Sequence, residues 1–140
     1  MKPAPASMKE VAAGMREVHI ILYVADQDRA TAFYARALAC EPVLNVPGMT
    51  EFELRPGLRL GLMPVAGARR LLGVHGPSPG EPAGPPRAEL YLVVPDAALC
   101  HARALAAGAV EVSAFARRDW GHRAAYALDP DGHVLAFAEL

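Results

Sequence analysis

His19 and Glu89 occupy matching places in two apolar runs, and an imidazole and a carboxylate are groups that hold a divalent ion or move a proton. The runs read Val18-His19-Ile20-Ile21-Leu22-Tyr23-Val24 and Ala88-Glu89-Leu90-Tyr91-Leu92-Val93-Val94. Strand alternation sends His19, Ile21 and Tyr23 to one face of the first, and Glu89, Tyr91 and Val93 to one face of the second. If both faces line one hollow, His19 and Glu89 form an acid–base pair. The structural alternative satisfies His19 with a polar neighbour and pairs Glu89 with Arg59 across a seam, because an unpaired carboxylate inside a strand is costly to bury.

Further candidates lie near the C-terminus. Trp120, the only tryptophan, stands in a polar turn beside Arg117, Arg118 and Asp119, and either shields a sheet edge or forms an aromatic wall. His122 and Tyr126 share one face of the following strand, with Arg123 turned away. His133 is expected at the surface, Glu51 and Glu53 are expected to face solvent, and His75 and His101 receive no role. There is no Gly-rich phosphate loop, nucleophile elbow or Cys-x-x-Cys pair.

The elements that must position these groups repeat. Each apolar run is followed by an Asp (Asp26, Asp96), a helical stretch containing Ala-Arg-Ala-Leu-Ala (35–39, 102–106) and further extended segments. A repeated unit fixes architecture before any single residue is interpreted. The patterns predict strands at 17–24, 42–47, 50–55 and 58–63 around a helix at 27–38, then a strand at 87–94, a helix at 97–107 and strands at 109–117, 122–128 and 133–139. Asp26 and Asp96 are expected helix N-caps, Gly108 a helix stop, and Asp129-Pro130-Asp131-Gly132 a tight turn. Residues 64–86, with six prolines and five glycines, read as an irregular stretch. It is either a linker or a flap, with Arg69-Arg70-Leu71-Leu72 as its one anchor-like cluster.

The expected class is α+β: two βαβββ modules, 17–63 and 87–139, joined by the 64–86 linker within one domain (17–139) and preceded by a flexible or partly helical tail (1–16). At 140 residues the chain can bury one core, built largely from alanine and other small side chains. A net charge of −1 without runs of one sign argues against nucleic acid or a membrane surface as partner. Nothing in the first 16 residues has the apolar middle of a signal peptide. Cys40 and Cys100 are expected as small buried residues in a reducing, cytoplasmic setting.

The opening Val18–Asp26 run with Arg29-Ala30 and Phe33-Tyr34, and the closing Trp120-Gly121 and Tyr126–His133, resemble the two ends of the vicinal oxygen chelate superfamily. It contains glyoxalases, bleomycin-resistance proteins and extradiol dioxygenases. The resemblance covers about 17–139 and implies a curved, cup-shaped mixed sheet with helices outside, frequent homodimers, and a small molecule bound in the cup. Metal-using relatives place ligands on the first and last strands of each module. Those positions fall here on His19 and Glu89, and on Gly61 and Ala136, whose side chains cannot coordinate. The resemblance therefore implies a small-molecule binder without metal or other cofactor, with His19, Tyr23, Arg59, Glu89, Tyr91, Trp120, His122 and Tyr126 toward the ligand. The alternatives are a lyase, isomerase or dioxygenase using His19 and Glu89 as acid–base residues or a partial metal site, and a collapsed cup acting through its surface.

Overall fold

The structure, a computed structural model, describes Ala4 and residues 7–140. Of the tail, Met8–Gly14 form α1, started by a reciprocal cap in which Ser7 Oγ accepts from the Glu10 amide and Glu10 accepts from the Ser7 amide. The remaining tail residues 1–3, 5 and 6 lie outside the described residues.

Module one runs β1 (Val18–Val24), α2 (Gln27–Ala37), β2 (Leu44–Val46), β3 (Met49–Arg55) and β4 (Leu58–Pro64). After α3 (Val65–Leu72) and a 3-10 turn (Gly73–His75), module two runs β5 (Glu89–Val93), α4 (Ala97–Ala106), β6 (Val110–Arg117), β7 (Arg123–Leu128) and β8 (Val134–Glu139). The sheets are ordered β1-β4-β3-β2 and β5-β8-β7-β6, each with one parallel pair (β1–β4, β5–β8) and otherwise antiparallel. The α+β pair of βαβββ modules stands as read from the sequence. The 64–86 stretch does not stay irregular: α3 forms within it, and Arg69 Nη1 donates to the Gly76 carbonyl at 3.1 Å and Ser78 Oγ at 3.3 Å, folding the chain back on itself.

Each sheet has one face under a helix. In module one that face carries Val24, Phe52, Leu60 and Leu62 against Ala30, Phe33 and Ala37 of α2. In module two it carries Leu90, Leu135, Phe137 and Ala127 against Ala97 and Ala104 of α4. These side chains make one continuous core, because α2 and α4 also pack on each other. No strand of one sheet pairs with a strand of the other among the described residues. The opposite face of module two's sheet has no covering helix among the described residues, and that of module one meets only α3, at Met63.

Both helices start and stop in the same way. Asp26 and Asp96 accept from the amides of Arg29 and Leu99. At the C-termini, Cys40 N–H donates to Ala35 and Ala39 N–H to Arg36, while Ala109 donates to Ala104 and Gly108 to Leu105, a matched pair of Schellman closures. The left-handed position is Gly108 (φ 118°) in module two but Ala39 (φ 51°) in module one. This alignment corrects the pentapeptide repeat. Ala39 lies beyond α2, whereas Ala106 is still inside α4, so the two copies sit two residues out of register. The modules are duplicates; the five-letter match is not part of the duplication.

A side-chain clamp completes the seam. The Asp129 carboxylate, buried in the β7–β8 turn, accepts from Tyr34 Oη at 2.5 Å and from the amides of Asp131 and His133 at 2.9 Å each. Asp131 Oδ1 accepts from the Ala25 amide at 2.8 Å and lies 3.6 Å from Arg29, leaving Oδ2 buried without a partner. His133 is half-buried, correcting its expected surface position. Its Nε2 donates to the Tyr23 carbonyl at 2.8 Å, because a carbonyl can only accept.

Burial, with the Asp129 charge and hydrogen bond added to it, holds the Tyr34 phenol well above its usual range. The unfolded tyrosine ionises near pH ~10 while the folded one stays protonated. Its stabilisation is therefore complete below about pH 10 and lost as pH rises through the folded value. Tyr34→Phe should cost about 1–3 kcal/mol at neutral pH and flatten the alkaline decline, both read by urea denaturation against pH. Ala39→Gly, at an exposed left-handed position, should raise stability by about 0.5–1 kcal/mol in the same assay.

Candidate functional site

The face of module one away from α2 is set by register. His19 is opposite Arg59, Ile21 opposite Gly61 and Tyr23 opposite Met63 across β1–β4, while Glu51 is opposite Gly61 and Glu53 opposite Arg59 across β3–β4. Alternation puts all of these on the face away from α2. Four charged or titratable groups gather there. Arg59 Nη1 donates to Glu51 Oε1 at 2.8 Å, and Arg59 Nε is 3.4 Å from Glu17 Oε1. His19 lies between the two carboxylates, its Nδ1 3.5 Å from Glu51 and its Nε2 3.5 Å from Glu17.

Three expectations change here. Glu51 is not solvent-facing but 9% exposed, drawn in by Arg59, while Glu53 is exposed as read. Arg59 does not pair with Glu89; its partners come from its own sheet. Glu89 in turn needs no partner, because it lies exposed at the start of an edge strand. Glu17 and Glu51 had no sequence signal as members of a cluster, since a diagonal contact across β3–β4 depends on register.

The uncovered face of module two is aromatic. Tyr91, Ala136 and Tyr126 lie side by side across β5, β8 and β7. Gly121 (φ 97°) turns the chain so that Arg118 N–H meets the His122 carbonyl at 2.7 Å, which brings Trp120 and His122 over Tyr91. Trp120 Nε1 donates to Tyr91 Oη at 3.1 Å, and Tyr91 Oη lies 2.8 Å from His122 Nδ1. The arrangement that uses every donor sends the tyrosine proton to Nδ1, leaving the His122 proton on Nε2.

The imidazole stacks on Tyr91 at 5.9 Å, and Tyr126 stands 6.5 Å from Tyr91. Arg118, which its sequence position did not single out, spans the Ala114 and Ala124 carbonyls and holds its guanidinium 5.1 Å above the Tyr126 ring. Burial raises the Tyr126 phenol, with Glu89 and Tyr91 adding to the rise and Arg118 opposing it. Trp120 remains 56% exposed, so the cluster is built but open.

The eight proposed ligand-facing residues thus fall into two groups. His19, Tyr23 and Arg59 are on one sheet; Glu89, Tyr91, Trp120, His122 and Tyr126 are on the other. Among the described residues no hydrogen bond or ion pair joins the groups. A four-ligand metal centre does not fit these side chains. At Gly61 even a Cβ would meet Ile21 at 3.1 Å and Met49 at 3.3 Å, and Ala136 is fully buried. Among the described residues no three His, Cys, Asp or Glu side chains are placed to hold an ion.

Two four-stranded mixed sheets of order 1-4-3-2, each with a helix packed on one face, define a paired βαβββ protein of the glyoxalase type. The sequence profile of the Glyoxalase/Bleomycin resistance protein/Dioxygenase superfamily matches residues 16–137, and the chain belongs to that superfamily. Among solved structures it is similar to a glyoxalase-related enzyme from Fulvimarina pelagi (23% identity, TM-score 0.75, covering 87% of this chain and 86% of that one). It is also similar to a protein of unknown function from Agrobacterium tumefaciens (24%, TM-score 0.72, 91% and 95%). A glyoxalase/bleomycin resistance protein/dioxygenase from Nocardioides matches at 22% identity (TM-score 0.71, 86% and 80%). These likenesses show the fold. No curated protein matches the chain.

Glu51→Ala removes the main acceptor of Arg59 from a buried position and should lower stability by about 1–3 kcal/mol. Glu53→Ala, one strand pitch away and exposed, should stay within about 0.5 kcal/mol of the parent. Chemical denaturation of the two variants side by side separates these outcomes.

Proposed function

We propose that this chain binds a small planar molecule, without a tightly held metal, on the aromatic face of module two. One observation carries the reading: Tyr91, Trp120, His122 and Tyr126 form a hydrogen-bonded, stacked group on a sheet face that no helix covers. Flat apolar rings with a few fixed polar atoms are what a planar ligand with hydrogen-bonding substituents requires. The bleomycin-resistance and glyoxalase relatives support ligand binding as the general role of the fold.

The charged face of module one completes the site in a homodimer. Its edge strand β1 leaves Val18, Ile20, Ile21 and Tyr23 exposed, and the edge strand β5 leaves Val93 exposed. Unpaired apolar edges are pairing surfaces. Setting β1 of one protomer beside β5 of its partner brings His19 and Arg59 to face Tyr91 and Trp120. Within one chain the two groups stay apart, so an acid–base partnership of His19 with Glu89 also requires this dimer. Among the described residues no helix is long and apolar enough to cross a membrane. A soluble, cytoplasmic protein is the setting in which we place this activity.

Trp120 is the only tryptophan, so its fluorescence reports this face alone. Titration with catechol and with salicylate should give saturable quenching by at least one of them. Tyr91→Ala and Tyr126→Ala should each weaken it about tenfold, equivalent to ~1.4 kcal/mol. Quenching that never saturates, or is unchanged in both variants, would overturn the reading.

A further inference from the structure

The duplication makes one seam contact and omits its counterpart. Superposing the parallel pairs (His19–Arg59 on Glu89–Val134) places Leu54 and Arg55 where Asp129 stands. Carrying the same offset through the matched N-caps, Asp26 on Asp96, places buried Ala104 where Tyr34 stands, with Arg103 beside it. In one half of the seam a buried carboxylate therefore joins the modules through Tyr34. In the other half the carboxylate is missing, and a cavity of about 460 Å³ lies there instead.

Its walls are mainly apolar, with Leu54, Leu92 and Phe137 among them; Tyr91 reaches it from the aromatic face, and Cys40 and Cys100 line it from opposite modules. Arg55 and Arg103 also line it. Unlike Arg29, Arg59 and Arg123, neither has a carboxylate partner among the described residues. The one acid lining it, Glu53, is the cross-strand neighbour of Arg59. The cavity is thus apolar within and positive on balance, and its volume falls in the range of small-molecule sites, about 300–1,000 Å³.

We infer that this inter-module cavity is a second ligand site, adjoining the aromatic face only at Tyr91, taking a small organic carboxylate with an apolar body. The carboxylate engages Arg103 and Arg55, standing in for the missing counterpart of Asp129, and the apolar body lies between the modules. Bound there, it ties α4 to the β3–β4 end of module one. Burial raises both thiols, Arg103 offsetting this at Cys100, so they are neutral parts of the wall rather than nucleophiles at neutral pH. They are also built-in reporters.

The test is alkylation of the full chain by iodoacetamide at mildly alkaline pH, followed at each cysteine by mass spectrometry, with and without octanoate. Saturating octanoate should slow modification of both Cys40 and Cys100 by about tenfold while leaving Trp120 fluorescence unchanged. Octanol, the same chain without the charge, should protect much less, and Arg103→Met or Arg55→Met should raise the octanoate concentration needed by about tenfold. Each variant is compared with its own unliganded rate, so an altered basal thiol reactivity does not enter. Unchanged alkylation, equal protection by octanol, protection of one thiol only, or protection retained in both variants would each overturn the inference. Octanoate quenching of Trp120 without thiol protection would overturn it too, assigning the acid to the aromatic face and leaving the proposed function standing.

Discussion

One buried carboxylate holds the two modules in place. Asp129 has three donors in a site almost closed to solvent, two from its own turn and one from Tyr34 of the other module. A charge in that position is tolerated only while its hydrogen bonds are kept, so sliding α2 against β7–β8 would strand it. The same turn grips the end of β1 through the Ala25 amide and the Tyr23 carbonyl. Because no sheet hydrogen bonds cross the seam, these few polar contacts and the α2–α4 packing decide where the His19 face stands relative to the Tyr91 face.

On that frame the two sheet faces away from α2 and α4 have diverged in chemistry. Module one carries a guanidinium lodged between two carboxylates with an imidazole beside them. Module two carries three aromatic rings, an imidazole and a second guanidinium on a ring face. The charged group also explains why a metal centre is out of place. The strand position that would supply the next ligand is Gly61, closed over by Ile21 and Met49. The carboxylate opposite it, Glu51, is already engaged by Arg59, a cation that is covalently attached and cannot dissociate.

Local patterns made much of this legible in the sequence. Period-two alternation located β1 and β5 and put His19 with Tyr23 and Glu89 with Tyr91. Asp26, Asp96 and Gly108 marked helix ends through capping chemistry that needs only neighbouring residues. What escaped was set by register and long-range contact. Arg59 chose Glu51 over Glu89 because β3 and β4 are offset so that their side chains meet diagonally. Trp120 reached Tyr91 because of one left-handed glycine. The Ala-Arg-Ala-Leu-Ala match suggested an equivalence that the helix closures show to be displaced by two residues. The Pro- and Gly-rich composition of 64–86 hid the eight residues of α3, which contain no proline.

The departures from symmetry coincide with the two proposed ligand sites. Equivalent positions that stayed alike, such as the helix caps Asp26 and Asp96, serve the frame. Those that differ have lost a partner on one side: Tyr34 has Asp129, while Ala104 and Leu54 make no such pair; His19 has Glu17 and Glu51, while Glu89 has no cation among the described residues. A duplicated fold needs its seam closed only firmly enough to hold the modules, and the Asp129 clamp does this from one half. The other half is then released from the structural requirement. An unpaired arginine beside an apolar cavity is stable there because it keeps solvent contact until an anion replaces the water, and the same reasoning applies to Glu89 at its exposed edge. In the proposed inter-module site an incomplete ion pair in a partly apolar setting would select a ligand that brings the missing charge with it.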